Sequence, residues 1–152
     1  MEWAALRRHP GLKVERRALF GPEYATAICS FDINLAFLRR LSRDLQTTRS
    51  VEIPACGAFM LAQRTTEHQQ LFQEGVEAEF FNTHDELLNK CQYYLTHSAA
   101  RSQIAHAGRE RCTRSDYSYD RQVSDVLTFL DSAHCRARSS SAGLSARPRV
   151  SL

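Results

Sequence analysis

The residues best suited to binding a small charged ligand form one short polar segment. Thr47, Thr48, Arg49 and Ser50 supply three hydroxyl groups and a guanidinium, and Glu52 follows two positions later. A hydroxyl-rich segment that enters a helix suits a phosphate, because the first turn presents unpaired N–H groups and the positive end of the helix dipole. Glu52 adds an acceptor for a sugar hydroxyl. In the alternative interpretation Glu52 only stabilises its helix as a first-turn acid, which contributes about 0.3–1 kcal/mol.

The sequence around this segment predicts a short helix and a buried strand. The two threonines are good N-cap residues. Residues 49–56 are compatible with a helix that Pro54 keeps short or kinked, and Gly57 has the backbone freedom that a helix stop needs. Residues 58–62 form a continuous apolar run of strand length, which is typical of a parallel strand buried on both faces.

Two further strands are predicted on either side of this unit, at residues 31–38 and 77–81. Helical segments at 23–29 and 67–73 fall between or before the strands. Such an alternation favours right-handed crossovers in a parallel sheet. The apolar residues at alternate positions of the first strand are Phe31, Ile33, Leu35 and Phe37.

The C-terminal third is predicted to be helical. Thr83 and Glu86 have the spacing of a capping box at the start of the first helix. Ser98 and Ser118 are expected to cap the second and third helices. The residues expected to face inward on the third helix are Val123, Val126, Leu127 and Leu130.

Composition places the chain among ordinary soluble domains. Of its 152 residues 43% are hydrophobic and 24% are charged, and the net charge is +3. No basic stripe alternates with aromatic residues, so nucleic-acid binding is not expected. Five cysteines form no CxxC pair, which indicates reduced thiols and a cytoplasmic location. No stretch is long enough for a membrane span, and the six histidines lack metal-ligand spacing.

The sequence divides into three parts. Residues 1–19 are interpreted as the remnant of an upstream region, unless residues 12–15 (LKVE) form a short strand. Residues 20–134 form the predicted domain. Residues 135–152 are rich in Ser, Arg, Gly and Pro and poor in large apolar residues, so we expect a disordered tail.

Three blocks of the chain carry a resemblance to a known family. They read TRSVEIPACGAFMLAQRTTEHQQLFQEGVEAEFF, DELLNKCQYYL and AGRERC. In this order they resemble the C-terminal domain of glycosyltransferases with two Rossmann-like domains, and more narrowly the spore-maturation-type branch of the group 1 glycosyltransferase-like family. The resemblance covers roughly residues 20–131.

This resemblance implies a fold and a function. The fold is α/β, with a Rossmann-like parallel sheet, flanking helices and a helical C-terminal third, and it corresponds to the C-terminal half of a two-domain glycosyltransferase. The function is to bind a nucleoside-diphosphate sugar for glycosyl transfer to an unknown acceptor, with no metal or other cofactor. By this resemblance the family's N-terminal acceptor domain is expected to be absent from this sequence, and the chain is expected to be incomplete alone. The alternative is a non-catalytic module that binds a nucleotide sugar or a partner protein.

The resemblance also assigns roles to two acids. In the family, two acidic residues separated by seven others lie in this block. Glu52 matches the second, which holds the ribose hydroxyls. The first falls at Asp44, where the family usually has Glu, and this acid faces the donor sugar near the reacting centre. Asp44 and the neighbouring Arg43 are therefore the predicted catalytic residues. The alternative for this pair is a solvated ion pair of little energetic value.

The remaining assignments concern the diphosphate and the sugar. Thr47, Thr48, Arg49 and Ser50 match the diphosphate cradle, where the family usually has glycine. The cationic loop with Arg39, Arg40 and Arg43 could neutralise the leaving diphosphate, or could be only solvated charge. Glu67 resembles the family's acid near the donor sugar, and simple helix capping is its alternative role.

Overall fold

The structure, a computed structural model, describes residues 11, 13, 17–39 and 41–142, with side chains through residue 132. Most of the predicted remnant at 1–19 lies outside the described residues, as do Arg40 and residues 143–152. In chain order the elements are α1 (Gly21–Cys29), β1 (Asn34–Ala36), α2 (Arg49–Ala55), β2 (Met60–Gln63), α3 (Thr66–Leu71), β3 (Glu79–Phe81), α4 (His84–Thr96), α5 (Ser98–Ser115) and α6 (Tyr119–Ala142).

The three strands form one parallel sheet in the order β1-β2-β3. Asn34 lies opposite Met60 in the first pair, and Ala62 lies opposite Phe80 in the second. Since parallel neighbours need a crossover, α2 connects β1 to β2 and α3 connects β2 to β3. The predicted α/β fold with a parallel sheet and flanking helices is confirmed. β2 begins two residues later than the apolar run suggested.

β2 is the centre of the hydrophobic core. Met60, Leu61 and Ala62 are at most 1% exposed, so both faces of the strand are covered, as its continuous apolar sequence predicts. Side chains on one face pack with α1, α2 and the end of α5, in a cluster that comprises Ile28, Ala36, Ile53, Ala58, Met60, Ala62, Phe72, Ala78, Phe80 and Cys112. Side chains on the other face pack with α4 and the first half of α5, in a cluster that comprises Phe59, Leu61, Phe81, Tyr94, Ile104 and Ala105.

The first strand is shorter than the predicted 31–38, and its buried positions are not the alternate apolar ones. The strand is only three residues long, and its buried residues are Asn34 and Ala36, whereas Leu35 is 43% and Phe37 is 56% exposed. The Asn34 amide is tied into the core by hydrogen bonds that it donates to the carbonyl oxygens of Ile28 and Phe59. The small Ala36 faces the helices of the first cluster, while α4 and α5 cover mainly β2 and β3 and leave Leu35 half open.

α6 also differs from the sequence prediction. Its apolar residues Val123, Val126, Leu127 and Leu130 are 55–58% exposed rather than inward, because the other helices already cover both faces of the sheet. The predicted tail boundary at Cys135 is wrong as well, since the helix continues to Ala142. Residues 135–142 contain no Gly or Pro, and Gly143 follows directly. Within the described residues, no helix is both long and apolar enough to cross a membrane.

Caps and a charge cluster fix the end of the sheet. The predicted capping box forms only in part. The Glu86 N–H donates to the Thr83 hydroxyl at 3.1 Å, but the Glu86 carboxylate accepts the N–H of Asn82, at 2.8 Å, and not that of Thr83. The Glu86 carboxylate and that of Glu74 both pair with Arg64, directly after β2, at 2.6 and 2.5 Å. Hydrogen bonds from Arg64 and from the Asn82 N–H lower the pKa of Glu86 to about 2. The start of α4 is thereby held against the carboxyl end of β2.

Gly108 allows α5 to pass close to the rest of the domain. A Cβ atom at this position would lie 2.4 Å from the Glu77 carbonyl oxygen and 3.3 Å from the Pro54 Cβ. Real Cβ atoms do not approach a backbone oxygen so closely, so a larger residue would push α5 away from both α2 and the segment before β3.

We therefore predict that Gly108→Ala destabilises the protein. Alanine favours a helix by about 0.8–1 kcal/mol over glycine, but overpacking a tight contact costs typically about 1–3 kcal/mol. The expected net result is a lower midpoint of chemical denaturation. Ser102→Ala, on the exposed side of the same helix, is the matched control and should leave the midpoint unchanged or slightly higher. A gain in stability for Gly108→Ala would contradict the close approach.

Candidate functional site

Two cavities lie on either side of the Thr47–Thr48 segment, at the edge of the sheet where the strands end. The segment belongs to the loop between β1 and α2, and open parallel sheets bind ligands at this edge. The Glu52 cavity is about 410 Å³ and is lined by Gln46, Thr47, Thr48, Val51, Glu52, Ala55, Tyr117, Tyr119 and Gln122. The Asp44 cavity is about 450 Å³ and is lined by Phe37, Arg39, Asp44, Thr47, Thr48 and Arg49.

Glu52 is held by a contact between α1 and α2. The Tyr24 hydroxyl donates a hydrogen bond of 2.8 Å to Glu52 Oε2. Burial and this hydrogen bond raise the pKa of Tyr24, so the phenol keeps its proton and continues to donate. Among the described residues no group donates to the other oxygen, Oε1. The carboxylate is thus oriented through one oxygen and can accept from a ligand through the other.

The Asp44 cavity gathers the charges of the site. Arg39 lies 3.7 Å from the Asp44 carboxylate, and its side chain is 85% exposed. An ion pair so exposed contributes little to stability, so both groups can exchange this contact for a ligand. Arg49 lines the same cavity and is exposed. Two guanidinium groups and one carboxylate therefore surround a space of ligand size.

The predicted cradle is organised differently from the sequence expectation. The Thr48 side chain makes no capping hydrogen bond. The N–H groups of Ser50 and Val51 donate to the carbonyl oxygens of Thr47 and Thr48 at 2.9 and 3.1 Å. These N–H groups are therefore occupied within the protein. The cradle offers a ligand the side chains of Thr47, Thr48 and Arg49.

Ser50 does not lie where the sequence analysis placed it. It is fully buried, and its hydroxyl lies 3.0 Å from the Thr47 N–H nitrogen and 2.7 Å from His68 Nε2. Its side chain therefore cannot reach a phosphate in either cavity, although the sequence placed it in the cradle. It connects the cradle to α3 instead.

His68 is the buried partner of this connection. Its Nδ1 lies 2.6 Å from the Gln63 carbonyl oxygen, and its ring stacks on Phe80 with the planes 10° apart. Burial lowers the pKa of His68, so the ring is neutral near pH 7. The Gln63 oxygen can only accept, so the single proton of the neutral ring is on Nδ1. Nε2 then accepts from the Ser50 hydroxyl.

A second contact ties the same loop to the start of α3. The Thr65 hydroxyl donates to the Leu45 carbonyl oxygen at 2.6 Å and accepts the His68 N–H at 3.0 Å. Thr65 is thus the N-cap residue of α3. The loop after β1 and the turn after β2 are fixed to each other by these side chains.

Two other predicted site residues lie away from the cavities. Arg43 is exposed and lines neither cavity, and its backbone has a φ of 53°, in the left-handed region. Arg39 takes the cationic position in the Asp44 cavity that the sequence assigned to Arg43. Glu67 lies in the first turn of α3 and also lines neither cavity, which favours its capping role.

Sequence reasoning missed the aromatic side of the Glu52 cavity. Tyr117 comes from the turn between α5 and α6, and Tyr119 is the first residue of α6, about 65 positions after Glu52 in the chain. Tyr117 is fixed by its hydroxyl, which donates to the Leu71 carbonyl oxygen at 3.0 Å. Two tyrosines beside a capping serine (YSY) were the available signal. Within the part of the chain that the structure describes, no three His, Cys, Asp or Glu residues could hold a metal ion.

Comparison with known protein families gives one match. A family model described as glycosyl transferase-like matches residues 2–128, which is more than four fifths of the chain. The matched range contains both cavities and every residue of the Ser50–His68 connection. No curated protein and no solved structure matches the chain.

Burial of His68 predicts how stability depends on pH. Its pKa is lowered from 6.5 in the folded protein, so the unfolded chain binds this proton more tightly. The contribution of neutral His68 to the free energy of unfolding is complete above about pH 6.5. It is lost as the pH falls toward the folded pKa, by at most about 1.4 kcal/mol per pH unit. The pKa values of Glu74 and Glu86 are lowered, so these groups titrate below this window.

The measurement is urea denaturation of the parent and of His68→Gln between about pH 7.5 and about pH 5. The parent should lose stability as the pH falls, and the variant should show a flatter profile. Identical slopes in the two proteins would show that His68 is not the group responsible.

Proposed function

Because the chain belongs to the glycosyl transferase-like family, we propose that it binds a nucleoside-diphosphate sugar and serves the transfer of that sugar to an acceptor. The single observation that carries this proposal is the pair of cavities that share Thr47 and Thr48. A nucleotide sugar has a neutral aromatic base that is joined through a ribose to an anionic diphosphate, and the diphosphate carries the sugar. Two tyrosines line one cavity, and the guanidinium groups line the other.

The Glu52 cavity takes the nucleoside. Glu52 Oε1 accepts the ribose hydroxyls while Tyr24 holds Oε2. A hydrogen bond to a charged acceptor contributes about 1.5–3 kcal/mol. The nucleobase lies against Tyr119, whose ring is 67% exposed and therefore open to stacking. The Gln122 amide can donate to and accept from the edge of the base.

The Asp44 cavity takes the diphosphate and the sugar. The hydroxyls of Thr47 and Thr48 and the guanidinium of Arg49 contact the diphosphate, and Arg39 adds a second positive charge. These groups stabilise the charge that develops on the leaving diphosphate. The Asp44 carboxylate faces the sugar, where positive charge develops at the anomeric carbon in glycosyl transfer. The alternative is a module that binds the nucleotide sugar without catalysis, and it differs by giving binding without transfer or hydrolysis of the donor.

The first prediction of this proposal concerns Glu52. Calorimetric titration of the whole chain with a panel of nucleoside diphosphates should identify a ligand, and Glu52→Ala should bind it about ten- to a hundredfold more weakly. Glu52→Gln keeps the size and one acceptor, so it should lose less. In the parent a 2′-deoxyribose nucleotide should bind more weakly than its ribose counterpart, and Glu52→Ala should abolish this difference.

Glu67→Gln is the matched control, because Glu67 is a first-turn glutamate that lines neither cavity. It should bind the nucleotide as the parent does. If Glu52→Ala binds as tightly as the parent, Glu52 is only a helix residue and the ribose assignment is wrong.

The second prediction concerns stacking on Tyr119. Tyr119→Phe keeps the ring and should retain affinity, whereas Tyr119→Ala should weaken nucleotide binding roughly five- to a hundredfold, since stacking a base on an aromatic ring contributes about 1–3 kcal/mol. Phe129→Ala removes an aromatic ring of similar exposure from the same helix, outside the cavity, and should have no effect. Equal losses for the two alanine variants would place the base elsewhere.

A further inference from the structure

We infer that His68 is a positioning residue for the nucleotide-sugar site, an inference that rests on the proposed function. Through the Ser50 hydroxyl, His68 fixes the backbone of Thr47 between the two cavities. His68 and Ser50 do not line either cavity. Their effect on the ligand is therefore exerted through the segment that both cavities share.

A series of hydrogen bonds runs from the Thr47 N–H through Ser50 and His68 to the Gln63 carbonyl oxygen. The groups at its two ends determine the direction of each bond. The Gln63 carbonyl oxygen cannot donate, so His68 Nδ1 carries the proton. The Thr47 N–H cannot accept, so it donates to Ser50 Oγ at 3.0 Å. The Ser50 hydroxyl then donates to His68 Nε2 at 2.7 Å. This series of hydrogen bonds has one consistent arrangement, in which each buried donor faces an acceptor.

The histidine is held rigidly enough to act as a fixed support. Its main-chain N–H is bonded to the Thr65 hydroxyl at the start of α3. Its ring is 0% exposed and lies parallel to Phe80 of β3, with 5.6 Å between the ring centroids. The support is therefore anchored in the sheet and in a helix cap, whereas the described residues of the loop after β1, 37–39 and 41–47, have no regular secondary structure.

Thr65 adds a second anchor to the same loop, through its hydrogen bond to the Leu45 carbonyl oxygen. The loop is thus fixed at residues 45 and 47, immediately before the Thr48 side chain that lines both cavities. In a loop without glycine at this point, side chains supply the order that a tight backbone turn would otherwise give.

The same geometry excludes a hydrolytic role for the Ser50–His68 pair. A serine close to a histidine that is oriented by a carbonyl oxygen has the hydrogen bonds of an activated nucleophile. Both residues are 0% exposed, however, and the hydroxyl already serves as donor and acceptor within the protein. A substrate carbon cannot reach this oxygen, so the pair positions the loop and does no covalent chemistry.

Four variants of the full chain test the inference: Ser50→Ala, His68→Phe, the double variant, and His68→Gln, which keeps an acceptor for the Ser50 hydroxyl. Thr83→Ala is the control, because it removes one capping hydrogen bond from α4, away from the loop. Three readouts are used. They are the tautomer of His68 by nitrogen NMR, hydrogen exchange of the Thr47 amide, and affinity for the nucleoside diphosphate that the parent binds best.

We expect the parent to show a proton on Nδ1 and none on Nε2 near pH 7. Ser50→Ala and His68→Phe should each accelerate Thr47 amide exchange and weaken nucleotide binding about tenfold, which corresponds to about 1.4 kcal/mol. The double variant should bind no more weakly than the weaker-binding single variant, because both changes break the same series of hydrogen bonds. His68→Gln should recover part of the affinity, and Thr83→Ala should bind as the parent does.

The outcomes separate this inference from the proposed function. If the parent binds no nucleoside diphosphate, the proposed function fails and the role of His68 in it fails too. If the parent binds but Ser50→Ala and His68→Phe bind equally well, only the inference is overturned. A proton on Nε2, losses that add in the double variant, or an equal loss in Thr83→Ala would also overturn it. Should His68→Phe not fold, the parent spectrum and Ser50→Ala still decide between these results.

Discussion

Met60, Leu61 and Ala62 are removed from water on both faces of the sheet, and this burial determines where the other elements lie. A central strand that is apolar throughout requires helices on both faces. The parallel direction of its neighbours then requires a crossover on each side. The connections after the strands consequently meet at one edge, and both cavities lie there. The position of the site is thus a consequence of how the core is built.

Polar contacts at this edge fix the connecting segments that the hydrophobic core does not hold. Arg64 joins Glu74 and Glu86, and Lys90 pairs with Glu79 at 2.5 Å, so the end of β2 and the start of β3 are bound to α4. On the neighbouring side, Thr65 and His68 bind the loop before α2. Ion pairs make the first connection, and hydrogen bonds between neutral groups make the second. Neither connection uses the exposed guanidinium groups of Arg39 and Arg49, so these groups can contact an anionic ligand.

The two sides of the site have different origins. Glu52 and the Asp44 cavity come from one stretch of about twenty residues around α2, whereas Tyr117 and Tyr119 follow the end of α5. α5 reaches this place only because Gly108 lets it pass against Glu77 and Pro54. This close contact between α5 and α2 thereby sets the distance between the two tyrosines and the acid.

Local sequence determined the elements whose signals are local. The apolar run of β2, the stop at Gly57, with a φ of 74°, and the N-cap at Thr83 were all predictable. They depend on side-chain size, backbone freedom and a spacing of three residues. The Thr47–Thr48 segment and Glu52 were singled out as candidate ligand-binding residues by their residue types and order, and the structure places them at the two cavities.

Only the tertiary structure decided which of two chemically similar residues reaches the site. Arg39 and not Arg43 lines the Asp44 cavity, and Ser50 is buried while Thr48 is exposed. The orientation of each side chain depends on partners such as His68 and Asp44, which the sequence does not place in space. For the same reason, alternation did not show which side of β1 is buried, and the inward prediction for the apolar side of α6 was wrong. Periodicity shows that a face is apolar, but whether another element covers it depends on the packing of the whole domain.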